Sequence, residues 1–274
     1  MHRTADAHWN EGVIAKLHTW AADREAVRAV LLTSNRAGAT GSSNALSDFD
    51  VILVVKDVRP FHTDRIWIGD FGVVLVTYWD ALHTDQETGP EFFANVVHYE
   101  SGLRIDFTLW PVEKATRLGQ TSKLPAGLDA GYSVILDKDE LTAGFRLPSF
   151  MAYAPTRPTA TEFARIVEEF YSDAPSVAKH LMRGDLMAAK WDLDHDMKQV
   201  YLRRVLEWQI ALDSDWNVPF RSLGKGLKRR MSGERWQQLE TGYAGSAIED
   251  NWRALDATLA IFREVGEDVA QRLG

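Results

Sequence analysis

The sequence predicts an α+β protein in two parts: a small mixed sheet flanked by helices over residues 1–150, then a helical bundle over 151–274. Three observations carry that expectation. Up to about Leu147, short aliphatic runs of strand length alternate with stretches of helical periodicity. Pro148, Pro155 and Pro158 then fall within eleven residues, which favours extended backbone and marks a linker. Beyond them the apolar residues recur at helical spacing.

In chain order, Trp9 to Ala22 carries Val13, Leu17 and Trp20 close to helical spacing, and Val27 to Leu32 is an aliphatic run broken only by Arg28. A polar loop from Thr33 to Ser47, rich in Ser, Gly, Asn and Thr, leads straight into a second strand, Phe49 to Val55. Further strands are expected at Val73 to Tyr78, Leu103 to Leu109 and Ser133 to Leu136. In the second part, Thr159 followed three residues later by Glu162 is a capping-box signature. Phe163, Ile166, Val167 and Phe170 then supply an apolar stripe. Pro175 is expected to break or kink this helix. A second long helix is expected from Asp185 to about Leu212, and a last one through Trp252, Leu255, Leu259, Phe262 and Val269.

Composition narrows the chemistry. There are no cysteines, which excludes disulfides, thiolate metal sites and cysteine nucleophiles together and leaves oxygen or histidine ligands for any metal. Asp and Glu total 39 against 31 Lys and Arg, a formal charge of −8, whereas a nucleic-acid binder shows a basic excess or stripe. The dense basic cluster Lys225, Lys228, Arg229 and Arg230 is read as solvated surface. No apolar run approaches the ~20 residues that span a bilayer, and the N-terminus lacks a signal-peptide core. The expectation is a cytoplasmic protein, monomer or weak homodimer, without nucleic-acid or membrane partners. No Gly-x-Ser-x-Gly, Walker loop or His-Glu-x-x-His is present, and His195 between Asp194 and Asp196 reads as mixed-charge helix surface.

The most informative segment is Ser47-Asp48-Phe49-Asp50-Val51-Ile52-Leu53-Val54-Val55. In a strand Asp48 and Asp50 share one face, while Phe49, Val51, Leu53 and Val55 face a core. Two carboxylates so placed repel each other, and a hard divalent cation such as Mg²⁺ relieves this while leaving coordination positions for substrate phosphate. The pair alone is equally served by a turn in which both acids cap or solvate the strand start. Two further features bear on the choice. Thr33-Ser34-Asn35-Arg36, just upstream, offers amides, hydroxyls and a cation to a triphosphate. Asp106 sits mid-strand in Leu103-Arg104-Ile105-Asp106-Phe107-Thr108-Leu109 and needs a partner there. It either completes a triad with Asp48 and Asp50 or is satisfied by Arg104 or backbone.

Ser34-Asn35-Arg36, a spacer and Asp48-Phe49-Asp50 resemble the Gly-Ser…Asp-x-Asp pattern of polymerase-β-type nucleotidyltransferases. More narrowly, the chain is similar to the streptomycin (aminoglycoside 6-) adenylyltransferase family. The stretches that carry this, in order, start at Leu46 (Leu-Ser-Asp-Phe-Asp-Val), Arg104 (Arg-Ile-Asp-Phe-Thr-Leu) and Leu136 (Leu-Asp-Lys-Asp). Glu168 (Glu-Glu-Phe-Tyr, leading to Val177-Ala178-Lys179), Leu206 (Leu-Glu-Trp-Gln-Ile) and Ser222 (Ser-Leu-Gly-Lys-Gly) follow. Ser34-Asn35 replaces the family's Gly-Ser, and Tyr171-Ser172 replaces its tryptophan-rich continuation.

The resemblance implies a nucleotidyltransferase domain over 1–150, a helical substrate-binding domain over 151–274, and transfer of AMP from ATP to a hydroxyl of an aminoglycoside such as streptomycin. It implies that Asp48, Asp50 and Asp106 hold Mg²⁺, with Asp106 also taking the hydroxyl proton. Ser34, Asn35 and Arg36 then cradle the triphosphate, and Lys179 reaches phosphate from the helical domain. A small cationic acceptor calls for acids and aromatics, for which Glu169, Tyr171, Asp80 and Glu87 are the candidates. Trp67, Trp79 and Trp110 are read as core. Two alternatives stand beside this: the same chemistry on another small-molecule or protein acceptor, and a non-catalytic nucleotide-binding regulator. Three costly acids argue against the second.

Overall fold

The structure, a computed structural model, describes residues 2–33, 47–84 and 91–274, with backbone alone over 2–10. It divides into two compact units, Met1–Ala152 and Tyr153–Gly274. No helix of the described residues is long and apolar enough to cross a membrane.

The first unit is α+β. Helix α1 (His2–Ala22) leads into β1 (Val27–Thr33) and β2 (Phe49–Val55). After the short helix α2 (Arg59–Thr63) come β3 (Val74–Trp79), β4 (His83–Thr84), β5 (Glu91–Tyr99) and β6 (Arg104–Pro111). Helices α3 (Val112–Leu118) and α4 (Ala126–Asp129) precede β7 (Tyr132–Asp137). The sheet runs β3-β5-β6-β2-β1-β7, with β4 paired to β5. The β2–β6 pair is parallel, and the other strand pairs described are antiparallel.

Alternation along the strands separates two cores. Phe49, Val51, Leu53 and Val55 of β2 are fully or almost fully buried and pack with Ile105, Phe107 and Leu109 of β6 and with Leu17, Trp20 and Ala21 of α1. Ile52, Val54 and Trp110 point to the opposite face, against Ala115 and Leu118 of α3 and Leu128 of α4. Both faces of the central strands are therefore covered, which explains why β1 and β2 read as mostly aliphatic runs, interrupted only by Arg28 and Asp50 near their starts.

Two strands lie outside the sequence expectation, the two-residue β4 and the longer β5. Residues Glu91–Tyr99 form β5, wedged between β3 and β6. Its signal is an aromatic and β-branched period, with Phe93, Val97 and Tyr99 buried and Ala94, Val96 and His98 half-buried between them. The polar Asn95 at a core-facing position interrupts that period.

The second unit is helical: α5 (Ala160–Arg183), α6 (Leu186–Lys190), a π-helical stretch (Trp191–Leu202), α7 (Arg203–Asp213), α8 (Gly233–Thr241) and α9 (Ile248–Leu273). Contrary to expectation, Pro175 does not end α5. The helix runs through it, because Ile166 and Phe170 before the proline and Val177 and Leu181 after it all bury in one core. The expected helix from Asp185 to Leu212 is helical throughout but widens to π geometry over 191–202. There Leu193, Met197 and Leu202 bury at spacings of four and five residues, which the wider i→i+5 turn brings onto one face.

The helix start at α5 is specified locally. The Thr159 side chain accepts from the Glu162 amide, and the Glu162 carboxylate accepts from the Thr159 amide. Thr159→Ala is expected to lower stability by about 1 kcal/mol, and Thr159→Ser by far less, as read from denaturant midpoints. Equal midpoints for the two variants would remove the cap from the account.

Candidate active site

The first unit places the acidic residues on one face of the sheet. Asp50 on β2 is the register partner of Asp106 on parallel β6, and of Thr33 on β1. Asp48 precedes β2 by one residue and so shares the face of Asp50. Strand β6 adds Arg104, Asp106, Thr108 and Trp110 to that face by the same alternation. Below the acids lies a cavity of about 230 Å³ whose lining includes Thr33, Asp50, Ile52, Asp106, Thr108 and Trp110. Pro125, Gly127 and Leu128 also line it.

Arg104 organises the charge. Its Nε donates to one oxygen of Asp106 at 2.8 Å and its Nη2 to the other at 2.7 Å. Its Nη1 lies 3.3 Å from Asp48. The Asp106 carboxylate holds the guanidinium charged even more firmly than usual, and Asp48 and Asp50 add to the effect. Of the two readings left open for Asp106, partnership with Arg104 is the one realised, and the same guanidinium also reaches Asp48.

The donor chemistry suits a hard divalent cation, since carboxylate oxygens are what Mg²⁺ takes. Among the described residues, however, no group of three His, Cys, Asp or Glu side chains is gathered to hold an ion. The metal-holding role expected of Asp48, Asp50 and Asp106 therefore stands as a proposal. Arg104 bonds both oxygens of Asp106 and approaches Asp48, so it offsets part of the negative charge of these acids. The acids fit the ion in kind and lie on one face, but the arrangement described is the arginine-paired one.

A family model described as Streptomycin adenylyltransferase matches residues 9–274, nearly the whole chain. The chain belongs to the streptomycin adenylyltransferase family. Adenylyl transfer is nucleotidyl transfer, so membership places the chain among the nucleotidyltransferases. An aminoglycoside 6-adenylyltransferase of Bacillus subtilis is 27% identical over 258 residues, covering 93% of this chain and 87% of its own length. One from Campylobacter jejuni is 26% identical, covering 90% and 83%. The crystal structure of an aminoglycoside 6-adenyltransferase from Bacillus subtilis aligns at 21% identity and a TM-score of 0.39, covering 95% of this chain and 89% of that one.

Family membership leaves the remaining expected residues to be placed one by one. Ser34, Asn35, Arg36 and Glu87 lie outside the described residues. Asp80 follows β3, and its amide donates to Ala94 of β5, two strands away from the Asp50–Asp106 pair. Tyr78 donates to Asp80, which holds the phenol protonated above its usual range. Trp67 is buried, its indole bonded to the Phe61 carbonyl, and Trp79 stacks on Phe93. Trp110 is also buried, as expected, yet it lines the cavity beside the acids.

In the second unit Lys179 is exposed on α5. Glu169 pairs with Arg165 one turn earlier, and Tyr171, half-exposed, sets its ring edge-on to Phe170 and Phe262. Sequence reasoning missed what surrounds Glu169. Partial burial raises the Asp173 carboxyl above its ordinary value, and the charges of Asp196, Asp192 and Glu169 raise it further. These four acids lie on α5 and the π-helical stretch, where Glu169 faces Arg165, Asp192 lies 3.7 Å from His180 Nε2 and Asp196 bonds His195. The His195 ring also stacks on Trp191. The spacing of Glu169 and Asp173 on one helix is a signal that the sequence does carry; the contribution of Asp192 and Asp196 depends on tertiary packing.

Proposed function

We propose that this chain transfers AMP from ATP to a hydroxyl of an aminoglycoside such as streptomycin, with Mg²⁺ as the metal and antibiotic resistance as the outcome. One observation supports it above the others. In a chain of this family, Asp50 and Asp106 lie opposite each other on adjacent strands, at the mouth of a cavity.

A bound Mg²⁺ would be held by Asp48, Asp50 and Asp106 and would supply neutralisation of the triphosphate charge. The chain's own groups do the rest. Asp106 takes the proton of the acceptor hydroxyl as that oxygen bonds to the α-phosphorus and pyrophosphate leaves. Ser34, Asn35 and Arg36 cradle the triphosphate, and Lys179 pairs with phosphate. Among the described residues, the acids that line the cavity are Asp50 and Asp106. Its Thr33 and Thr108 hydroxyls and its Trp110 and Leu128 walls suit the nucleoside. The acids Glu169, Asp173, Asp192 and Asp196 suit the amines and guanidines of the acceptor, because a bound cation relieves their mutual repulsion. Such a reaction belongs in the cytoplasm, where ATP is supplied.

The test is pyrophosphate release by the purified protein with ATP and Mg²⁺, with and without streptomycin, beside an Asp48→Asn/Asp50→Asn control. Streptomycin-stimulated release that the control loses is the expected result. Mg-ATP binding without stimulated release would transfer the proposal to another acceptor, and absence of both would end it.

A further inference from the structure

We propose that Arg104 is a placeholder cation: it neutralises Asp106 and Asp48 before loading, and a divalent cation gains Asp106 only as Arg104 lets go. The inference rests on the proposed metal-nucleotide reading and deepens it by naming what the metal must displace.

The geometry leads there in three steps. A single guanidinium spans two of the three acids, meeting both oxygens of Asp106 at 2.8 and 2.7 Å and approaching Asp48 at 3.3 Å. A fork of this kind is the strong, directional mode of arginine–carboxylate pairing, and it occupies one lone-pair site on each Asp106 oxygen while setting a fixed positive charge beside the carboxylate. Asp106 is therefore a weaker ligand and a weaker base while the fork is closed.

An arginine cannot yield by losing its proton, because the guanidinium stays charged throughout the accessible pH range. A dication placed on the same carboxylate would sit against a fixed positive charge. The two must exchange by movement of the side chain. Arg104 is built for such movement: it is the first residue of β6, and its side chain keeps 36% of its exposure. Asp106, two residues inside the strand, is held by the sheet on both sides through Asp50 and Val96. The acid stays and the arginine moves.

A purely structural arginine and a placeholder differ in the sign of one measurable quantity. Removing a structural ion pair disorders the acids and weakens metal binding; removing a competitor strengthens it. The experiment is Mn²⁺ binding without nucleotide, followed by loss of the free-ion electron paramagnetic resonance signal, in the wild type, Arg104→Met and Arg104→Lys. Arg104→Met is expected to bind Mn²⁺ about ten-fold more tightly, the scale on which groups behind metal ligands act. Its melting temperature is expected to fall without metal and to recover with Mn²⁺. Arg104→Lys keeps the charge but not the fork, so it is expected to bind more tightly than wild type by a smaller factor, and it covers the case in which the methionine variant does not fold. Unchanged or weaker Mn²⁺ binding in a folded variant overturns the placeholder role while the wild type's own binding leaves the metal-nucleotide reading intact. If neither wild type nor variants bind Mn²⁺ or Mg-ATP, that reading fails and takes the inference with it.

Discussion

Asp106→Asn is expected to lower kcat for aminoglycoside adenylylation by about 10²–10⁴-fold, the contribution of a positioned general base. The amide keeps the shape of the carboxylate and one acceptor oxygen for Arg104, so folding should change little. What it loses is basicity, negative charge and the symmetric pairing with the guanidinium. The pair is only part-buried, with Arg104 at 36% and Asp106 at 26% side-chain exposure, so solvent limits what its loss costs the fold. The measurement is steady-state kinetics beside a thermal melt. A variant that melts with the wild type and retains more than about a tenth of its kcat would remove Asp106 from proton transfer. A loss confined to KM would instead make it a binding residue.

The largest stability effect is expected in the second unit, from Phe262→Ala. Phe262 of α9 is 1% exposed and stacks nearly parallel on the fully buried Phe170 of α5, while Tyr171 meets it edge-on. Truncation removes one member of an aromatic set at the junction of two long helices and leaves a cavity that rigid neighbours cannot fill. The expected cost is about 3–5 kcal/mol. For a unit of this size that is a fall in melting temperature of roughly 10 °C or more. Helical circular dichroism reports mainly on this unit, since its long helices dominate the signal. Phe262→Leu, which refills part of the volume, should recover a good part of the loss; equal melting of the alanine and leucine variants would show that packing at this junction is not what holds α5 to α9.

Residues whose role is dictated by strand alternation are legible in the amino-acid sequence itself. Asp48, Asp50 and the core-facing Phe49, Val51, Leu53 and Val55 follow from period two alone, and Phe49–Val55 is the strand as observed. The capping box at Thr159 is equally local, needing only four residues. Legibility fails where the deciding energy is tertiary. Pro175 disfavours helix by its own chemistry, but buried side chains on both sides outweigh it. Strand β5 is hidden because Asn95 breaks its apolar period, and only its place between β3 and β6 makes it a strand. Arg104 is visible as a partner for Asp106, yet its reach to Asp48 depends on β6 lying parallel to β2 in one particular register.

That register has a consequence for how sequences of this kind can change. On β2 and β6 a single backbone carries two sets of side chains, one filling the first core and the other carrying the acids together with Ile52, Val54 and Trp110 of the second. Inserting or deleting one residue within either strand exchanges the two sets, turning Asp50 or Asp106 into the hydrophobic interior and a phenylalanine toward solvent. Such an event strikes fold and chemistry together unless a bulge absorbs it, as the irregularities in the β1–β2, β1–β7 and β3–β5 pairs do. Change in chain length is therefore best carried by the connections between strands, while β2 and β6 drift by substitution, position by position, each face under its own rule.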